Sequence, residues 1–389
     1  MTKTLNIAMI GGGFMGKAHA AAYAAMPMFF WPAPATPVRK LLVDVTAELA
    51  EEGRRRYGFE AATTDWRQAV ARTDIDVVDI VTPNDSHAEI AIAAAKAGKH
   101  VICEKPLART GDEAKAMLDA VKMGGVVHMV AFNYRRTPAV ALARRYIEEG
   151  RIGKILNFRG TYLQSWSADP DSPLSWRFQK AVAGSGAVGD IGTHVIDLAR
   201  YLVGEIAAVN AMTSTYVRSR PKQSAGLDKL GIGEKNAAAP RGDVDVDDEV
   251  MTLVRFTEGA VGSIEATRNA HGRHNFLTFE IHGTKGSIAF NYERRDELRV
   301  AFADDPGDAS GFRTVYTGPA HPYGESFWPI PGLGIGYTET KIAECHDFLA
   351  AVTQGVQPSP NFEDGYRIAR IADALLESAS RQAWIQVPS

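Results

Sequence analysis

Leu5-Asn6-Ile7-Ala8-Met9-Ile10-Gly11-Gly12-Gly13-Phe14-Met15-Gly16 is the stretch whose reading decides the fold. A short apolar run, suited to a buried strand, stops on glycine, and an alanine-rich segment predicted as a helix ending near Met26 follows. Gly11, Gly13 and Gly16 stand at G-x-G-x-x-G spacing with the strand before and the helix after that this pattern needs. Glycines there let the backbone turn tightly and approach a pyrophosphate, which rests on the helix N-terminus. Outward from this loop, strand and helix signals alternate: strand 38–44, helices 46–57 and 65–71, strand 76–81, helix 87–97, strand 100–103, helix 111–123 and strand 126–132. Such alternation predicts an α/β architecture, a parallel sheet with helices on both faces. A Rossmann dinucleotide-binding domain is therefore expected over 1–132, with a second domain over 133–389.

Composition narrows the class. A chain of 389 residues is long for one core, and 45% hydrophobic with 23% charged residues is ordinary for a globular protein. A formal net charge of -3 gives no electrostatic case for nucleic acid or an anionic membrane. Cys103 and Cys345 are the only cysteines, which excludes a disulfide framework and suggests a reducing compartment. Met-Thr-Lys-Thr leads straight into a strand rather than a secretory leader, and no apolar run approaches the ~18 residues of a membrane span, so a cytoplasmic protein is expected. No metal site is expected.

Three groups carry chemistry. Asp44 ends the second strand, where a carboxylate accepts both ribose hydroxyls and repels a 2′-phosphate. It lies farther from the glycines than the usual ~20 residues, because Met26–Pro37 is inserted ahead of it. With no arginine after Val45-Thr46, NAD is expected over NADP; the alternative role for Asp44 is a helix cap. Thr82-Pro83-Asn84-Asp85-Ser86-His87 and Glu104-Lys105-Pro106 follow two strands at the carboxyl edge of the sheet, where ligands bind in open α/β folds. A lysine there, beside an oxidised nicotinamide, would favour its neutral amine and could orient a reacting hydroxyl. Finally, Gly186-Ala-Val-Gly-Asp-Ile-Gly-Thr-His-Val-Ile-Asp197 places Asp190 and His194 four apart at the start of an apolar-periodic segment. On an α-helix that spacing puts them on one face, one turn apart. Lysine, carboxylate and imidazole together read as alcohol oxidation.

Gly-Gly-Gly-Phe-Met-Gly-x-x-His at the start, Glu-Lys-Pro at 104–106 and Gly-Asp-x-x-x-His at 189–194 resemble the glucose–fructose oxidoreductase / inositol dehydrogenase / MocA (Gfo/Idh/MocA) family across essentially the whole chain. The resemblance implies a Rossmann domain followed by an α/β domain with a large, open, mostly antiparallel sheet whose free face forms oligomer interfaces. A homo-oligomer, dimer or tetramer, through that sheet is thus expected. It also implies that Lys105, Asp190 and His194 surround the substrate carbon next to the nicotinamide. The cofactor set is expected to be Gly11, Gly13, Phe14, Met15, Asp44, Thr82, Asn84, His87, Glu104, Lys105 and Arg177. Lys105, Tyr134, Arg135, Tyr162, Trp176, Arg177, Asp190, His194 and His321 are expected around the substrate. Met-Pro-Met-Phe-Phe-Trp-Pro-Ala-Pro, Phe-Asn-Tyr-Arg-Arg-Thr-Pro and Gly-Pro-Ala-His-Pro-Tyr-Gly-Glu are similar to members that oxidise the C3 hydroxyl of 1,6-anhydroglucose (levoglucosan). Members acting on scyllo-inositol or L-glucose are near neighbours, and a glycosidase of the same fold that retains NAD is a further alternative.

The second domain supports this reading. Helix 138–149 and strand 151–164, with Arg159 and Tyr162, precede Trp176-Arg177, an aromatic face beside a guanidinium of the kind that holds a sugar ring, although Trp176 could equally be core. Segments 207–216, 249–256, 260–270 and 278–283 alternate as antiparallel strands with one polar face. Segment 218–246 reads as a polar surface excursion, and helices 339–354 and 362–382 are expected to pack back on the first domain. Segment 318–337, rich in aromatics and glycine, is expected to cover an active site, its own or a neighbour's, with His321 reaching a substrate hydroxyl. Met26–Pro37 is expected either as a second wall of that site or as a surface hairpin.

Overall fold

The computed structural model describes residues 2–222 and 238–387, so much of the expected excursion 218–246 lies outside the described residues. The chain forms two compact units, Met1–Asn133 with Gly336–Ala369 and Tyr134–Ile335 with Arg370–Ser389.

In chain order the first unit contains β1 (Thr4–Ile10), α1 (Phe14–Phe29), β2 (Thr36–Val43), α2 (Ala47–Tyr57), β3 (Ala61–Thr63), α3 (Trp66–Ala71), β4 (Val77–Ile80), α4 (His87–Lys96), β5 (His100–Cys103), α5 (Gly111–Gly124) and β6 (His128–Val130). Its strands lie in the order β3-β2-β1-β4-β5-β6, all parallel. Ile7, Ala8, Met9, Val77, Val78 and Val101 are wholly buried, which accounts for near-continuous apolar strands where helices cover both faces. The order reverses between β1 and β4. Ligands of such sheets bind outside the carboxyl ends at that switch point, and the loops leaving these two strands carry Gly11 and Thr82.

The α1 helix overruns its expected end. It passes through Pro27 to Phe29, held by fully buried Met26 and by Phe30, whose ring stacks on His346 at 4.0 Å. The segment expected as a hairpin or wall is therefore a helix end and a short link into β2, with Trp31 left 83% exposed.

The second unit opens with α6 (Pro138–Glu148), β7 (Ile155–Leu163), α7 (Lys180–Ala183), a π-helical turn (Val188–Gly192) and α8 (Thr193–Leu202). It continues through β8 (Ile206–Ser214), β9 (Ser219–Pro221), β10 (Arg241–Asp243), β11 (Glu249–Phe256), β12 (Val261–Thr267), β13 (Phe276–Gly283), β14 (Gly286–Asn291), β15 (Glu297–Phe302), β16 (Arg313–Tyr316) and α9 (Gly324–Phe327). Helix α10 (Tyr337–Gln354) belongs to the first unit, and α11 (Phe362–Arg381) and β17 (Ile385–Gln386) complete the chain.

The large sheet runs β16-β15-β14-β13-β7-β12-β11-β8-β17 and is antiparallel except for the β7–β12 pair. The sequence reading stopped at 283 and missed β14 to β16. Ile288, Ala289 and Phe290 of β14 are all buried, so that strand lacks the polar alternation that betrays the others. Helices α6 and α8 lie on one face. Cross-strand register puts Met212, Met251, Leu253 and Val261 together on the other, where each is 45–65% exposed.

Gly160 in β7 sets how closely α8 approaches the sheet. A Cβ there would lie 2.4 Å from Val195 Cγ1 and 2.6 Å from Phe158 Cε1. Gly160→Val is expected to lower unfolding free energy by about 1–3 kcal/mol through overpacking and to depress turnover. Urea denaturation and initial rates check it; an unchanged midpoint would mean that α8 floats over the strand.

Candidate active site

In the first unit the glycines divide their work. Gly11 has φ +110°, and a Cβ there would stand 2.7 Å from Val81 O; one on Gly16 would stand 2.4 Å from Gly11 O. These two permit the turn and the close packing of helix on strand. A Cβ at Gly13 meets nothing within 4 Å, so that position is open space above the N-terminus of α1. The helix has no side-chain cap and no acidic residue in its first turn. An uncapped positive helix end beside an open glycine fits the pyrophosphate of a dinucleotide.

Asp44 stands at the adjoining edge. Its Oδ2 accepts the Gly12 N–H at 2.9 Å and its Oδ1 that of Val45 at 2.7 Å. Thr46, not Asp44, caps α2 through the Leu49 N–H, so the cap alternative falls. Phe14, 48% exposed, stacks on Tyr337 with centroids 6.4 Å apart, and the Tyr337 hydroxyl points at Met15 Sδ, 3.6 Å away. Tyr337, expected in the covering loop, thus stands beside the glycine loop in the first unit.

Two expected cofactor residues do other work. His87 is fully buried, with Nδ1 3.1 Å from Pro106 O and Nε2 3.0 Å from Thr82 O. Burial pushes its pKa down. It staples the loop after β4 to the Lys105-Pro106 loop and leaves no nitrogen for a ligand. Glu104 also faces inward: Oε1 accepts from Lys341 Nζ at 2.7 Å and meets His19 Nε2 at 3.0 Å, while Oε2 accepts the Lys105 N–H at 3.1 Å. Burial opposes its charge, yet Lys341 and His19 hold its carboxyl well below the ordinary range. Both side chains are thus engaged within the unit. Thr82, whose hydroxyl accepts from Ser86 at 2.6 Å, and buried Asn84 remain at the switch-point edge with half-buried Lys105.

In the second unit the Asp/His segment hangs on Asp247. Its carboxylate accepts the N–H groups of Gly186 at 2.7 Å and Val188 at 2.8 Å, and its carbonyl accepts that of Ala187 at 2.9 Å. A Cβ on Gly186 would lie 1.7 Å from that carbonyl, so only glycine fits. The single α-helix expected here is instead a π turn at 188–192 feeding α8. Asp190 and His194 therefore sit in different helical geometries, and the one-face argument does not apply as written; inserted π turns are frequent at functional sites.

Asp190 Oδ2 lies 3.5 Å from Nη1 of Arg268, a wholly buried residue whose guanidinium also donates to Arg177 O and Asp247 O, each at 3.3 Å. His194, 6% exposed, meets the ring of Tyr134 edge-on at 4.7 Å and that of Tyr162 at 5.9 Å. The two tyrosine hydroxyls are 2.8 Å apart, and Tyr162 donates to Asn275 Oδ1 at 2.5 Å while Gln164 Nε2 donates to Tyr162 at 3.0 Å. Arg268, Gln164 and Asn275 escaped the sequence reading.

The buried guanidinium of Arg135 grips Asp197 (Nε to Oδ2, 2.9 Å) and lies over Tyr201 at 4.7 Å, so it ties α8 to the turn ahead of α6. Arg177 lies over the Trp176 ring at 4.3 Å, both half-buried. His321 Nδ1 accepts the Gly318 N–H at 2.9 Å, which leaves Nε2 for a hydroxyl. Its loop is tied to Asp296 through Thr317 and Ile335, and Phe327 is buried.

Residues 5–132 match the model of an oxidoreductase family with an NAD-binding Rossmann fold, and residues 140–289 match the Gfo/Idh/MocA C-terminal domain. The chain belongs to the Gfo/Idh/MocA family. It is an NAD-dependent oxidoreductase. The family member is 69% identical to a protein named levoglucosan dehydrogenase from Pseudarthrobacter phenanthrenivorans, over 99% of each chain. It is similar at TM-score 0.94 and 67% identity, over 100% of both chains, to a solved levoglucosan dehydrogenase in complex with NADH and levoglucosan. It is 29% identical to inositol 2-dehydrogenase of Rhizobium meliloti over 99% of each chain.

His19 makes the first unit pH-sensitive. Burial opposes its charge, but Asp79, 3.0 Å from Nδ1, and Glu104 raise its pKa from 6.5 to about 9. A raised folded pKa contributes stability that is complete below the unfolded value and lost as pH passes the folded one. Stability should fall between about 6.5 and 9, by an amount on the order of a few kcal/mol. Urea midpoints across that window check it, and His19→Gln should flatten the slope; a wild-type curve already flat would refute the assignment.

Proposed function

We propose that this enzyme oxidises levoglucosan at its C3 hydroxyl to the 3-keto sugar. The observation that carries this is full-length likeness, at 69% identity, to a protein named for that activity, and the Glu-Lys-Pro and Gly-Asp-x-x-x-His motifs at 104–106 and 189–194 support it. NAD, when bound, supplies the hydride acceptor. Gly11, Gly13, Phe14, Met15, Asp44, Thr82 and Asn84 hold it, and the Asp44 carboxylate disfavours a 2′-phosphate. Lys105 hydrogen-bonds the reacting hydroxyl, His194 takes its proton, and Asp190 stabilises the imidazolium and fixes its orientation. Tyr162, Trp176, Arg177 and His321 contact the sugar.

The test is initial-rate NADH formation with levoglucosan, scyllo- and myo-inositol, L-glucose and D-glucose. Levoglucosan should be preferred. A preference for an inositol would transfer the assignment, and turnover without net NADH would indicate a glycosidase. Lys105→Met and His194→Asn should each lower kcat about 10²–10⁴-fold, and Asp44→Ala should erode discrimination against NADP.

We further propose a homo-oligomer built through the free face of the large sheet. Met212, Met251, Leu253 and Val261 form an apolar patch there, of a kind that monomers rarely leave in water. Light scattering should give a dimer or tetramer, and Met251→Glu with Leu253→Glu should shift it toward monomer; a wild-type monomer would dispose of the idea. Cys103 and Cys345 are both free thiols and buried, which supports a reducing, cytoplasmic location.

A further inference from the structure

Beneath Lys105 the first unit buries a cluster of charges for which alcohol oxidation has no direct use. Glu104 is its centre, with Lys341 and His19 on one carboxylate oxygen and the Lys105 N–H on the other. Asp79 holds the far side of His19 and accepts from the Tyr23 hydroxyl at 3.0 Å. Glu344 accepts from the far side of Lys341 at 2.9 Å. All six of these side chains belong to residues exposed by 4% or less. His19 Nδ1 faces Asp79 at 3.0 Å, and its Nε2 lies 3.0 Å from Glu104 Oε1 and 3.3 Å from Lys341 Nζ.

Lys341 and Glu344 stand three apart on α10, on the side that packs against α1. Without Lys341 the Glu104 carboxylate would lose its strongest cation and would protonate or turn away, releasing the backbone of residue 105. We propose that Lys341, acting through Glu104, is a positioning residue for Lys105: it fixes the backbone from which that lysine projects. This rests on the reading that Lys105 works on the reacting hydroxyl.

The test is initial-rate kinetics of the full chain with NAD and the sugar that the wild type turns over fastest. Lys341→Met should lower kcat about tenfold or more with KM for NAD unchanged, and Lys341→Arg, which keeps the cation on Glu104, should restore most of that loss. If Lys341→Met does not fold, Glu344→Gln, which touches Lys341 and leaves the bridge to Glu104 in place, should lower kcat by a smaller factor, again with KM for NAD unchanged. An unchanged kcat in the folded variants, or a loss that Lys341→Arg does not restore, overturns the proposal. Full turnover in Lys105→Met would instead remove the catalytic reading of Lys105.

Discussion

A carboxylate taken out of water must keep a cation or a set of N–H donors, and that requirement shapes both units around their functional side chains. In the first unit Glu104 keeps Lys341, His19 and the backbone of residue 105. In the second, Asp197 keeps Arg135, Asp190 keeps Arg268, and Asp247 keeps the amides of Gly186 and Val188. Apart from the Glu104 contact with residue 105, each pairing joins residues distant in sequence, so each closes the chain at a defined place. Buried ion pairs are weak evidence for stability on their own. Their effect here is geometric: Lys105 and Asp190 each leave a backbone or a partner that cannot drift without stranding a charge.

Backbone geometry supplies the second constraint. Gly11, Gly16 and Gly186 are required because a neighbouring carbonyl occupies the space of a side chain, whereas a Cβ at Gly13 would meet nothing within 4 Å. The π turn at 188–192 belongs with the first group. It begins where Asp247 grips the chain and ends where α8 settles on β7 and β12. The extra residue in that turn separates the clamp from the helix that carries His194, so each can satisfy its own contacts.

What the sequence disclosed, and what it hid, follows from the range of the interactions. The glycine loop, Asp44, the strand-end Glu-Lys-Pro and the parallel half of the fold are local patterns, each legible from a few neighbouring residues. The antiparallel sheet was legible only where strands alternate, as in β11 with Met251 and Leu253 out and Val250 and Val254 in; β14, buried along its centre, escaped. The packing partners of Glu104, His87 and Arg135 were hidden for one reason. A charged or imidazole side chain in a motif looks like a ligand contact until its partner is known, and Lys341, Pro106 O and Asp197 lie 237, 19 and 62 positions away. Arg268 escaped by the same token, since nothing near it in sequence mentions Asp190.

Around His194 the same logic is carried by neutral groups. Tyr134, Tyr162, Gln164 and Asn275 form a ring of hydroxyls and carboxamides, each able both to donate and to accept. Such groups cannot repel a polyhydroxyl ligand on the sign of a charge; they discriminate by direction. The tyrosine hydroxyls are already oriented by Asn275. Edge-on aromatic contacts hold the imidazole with its plane set. A charge acts over distance and in every direction, whereas a neutral, pre-oriented network of this kind acts only along the lines of its donors and acceptors, so the packing around His194 fixes direction as the ion pairs elsewhere fix position.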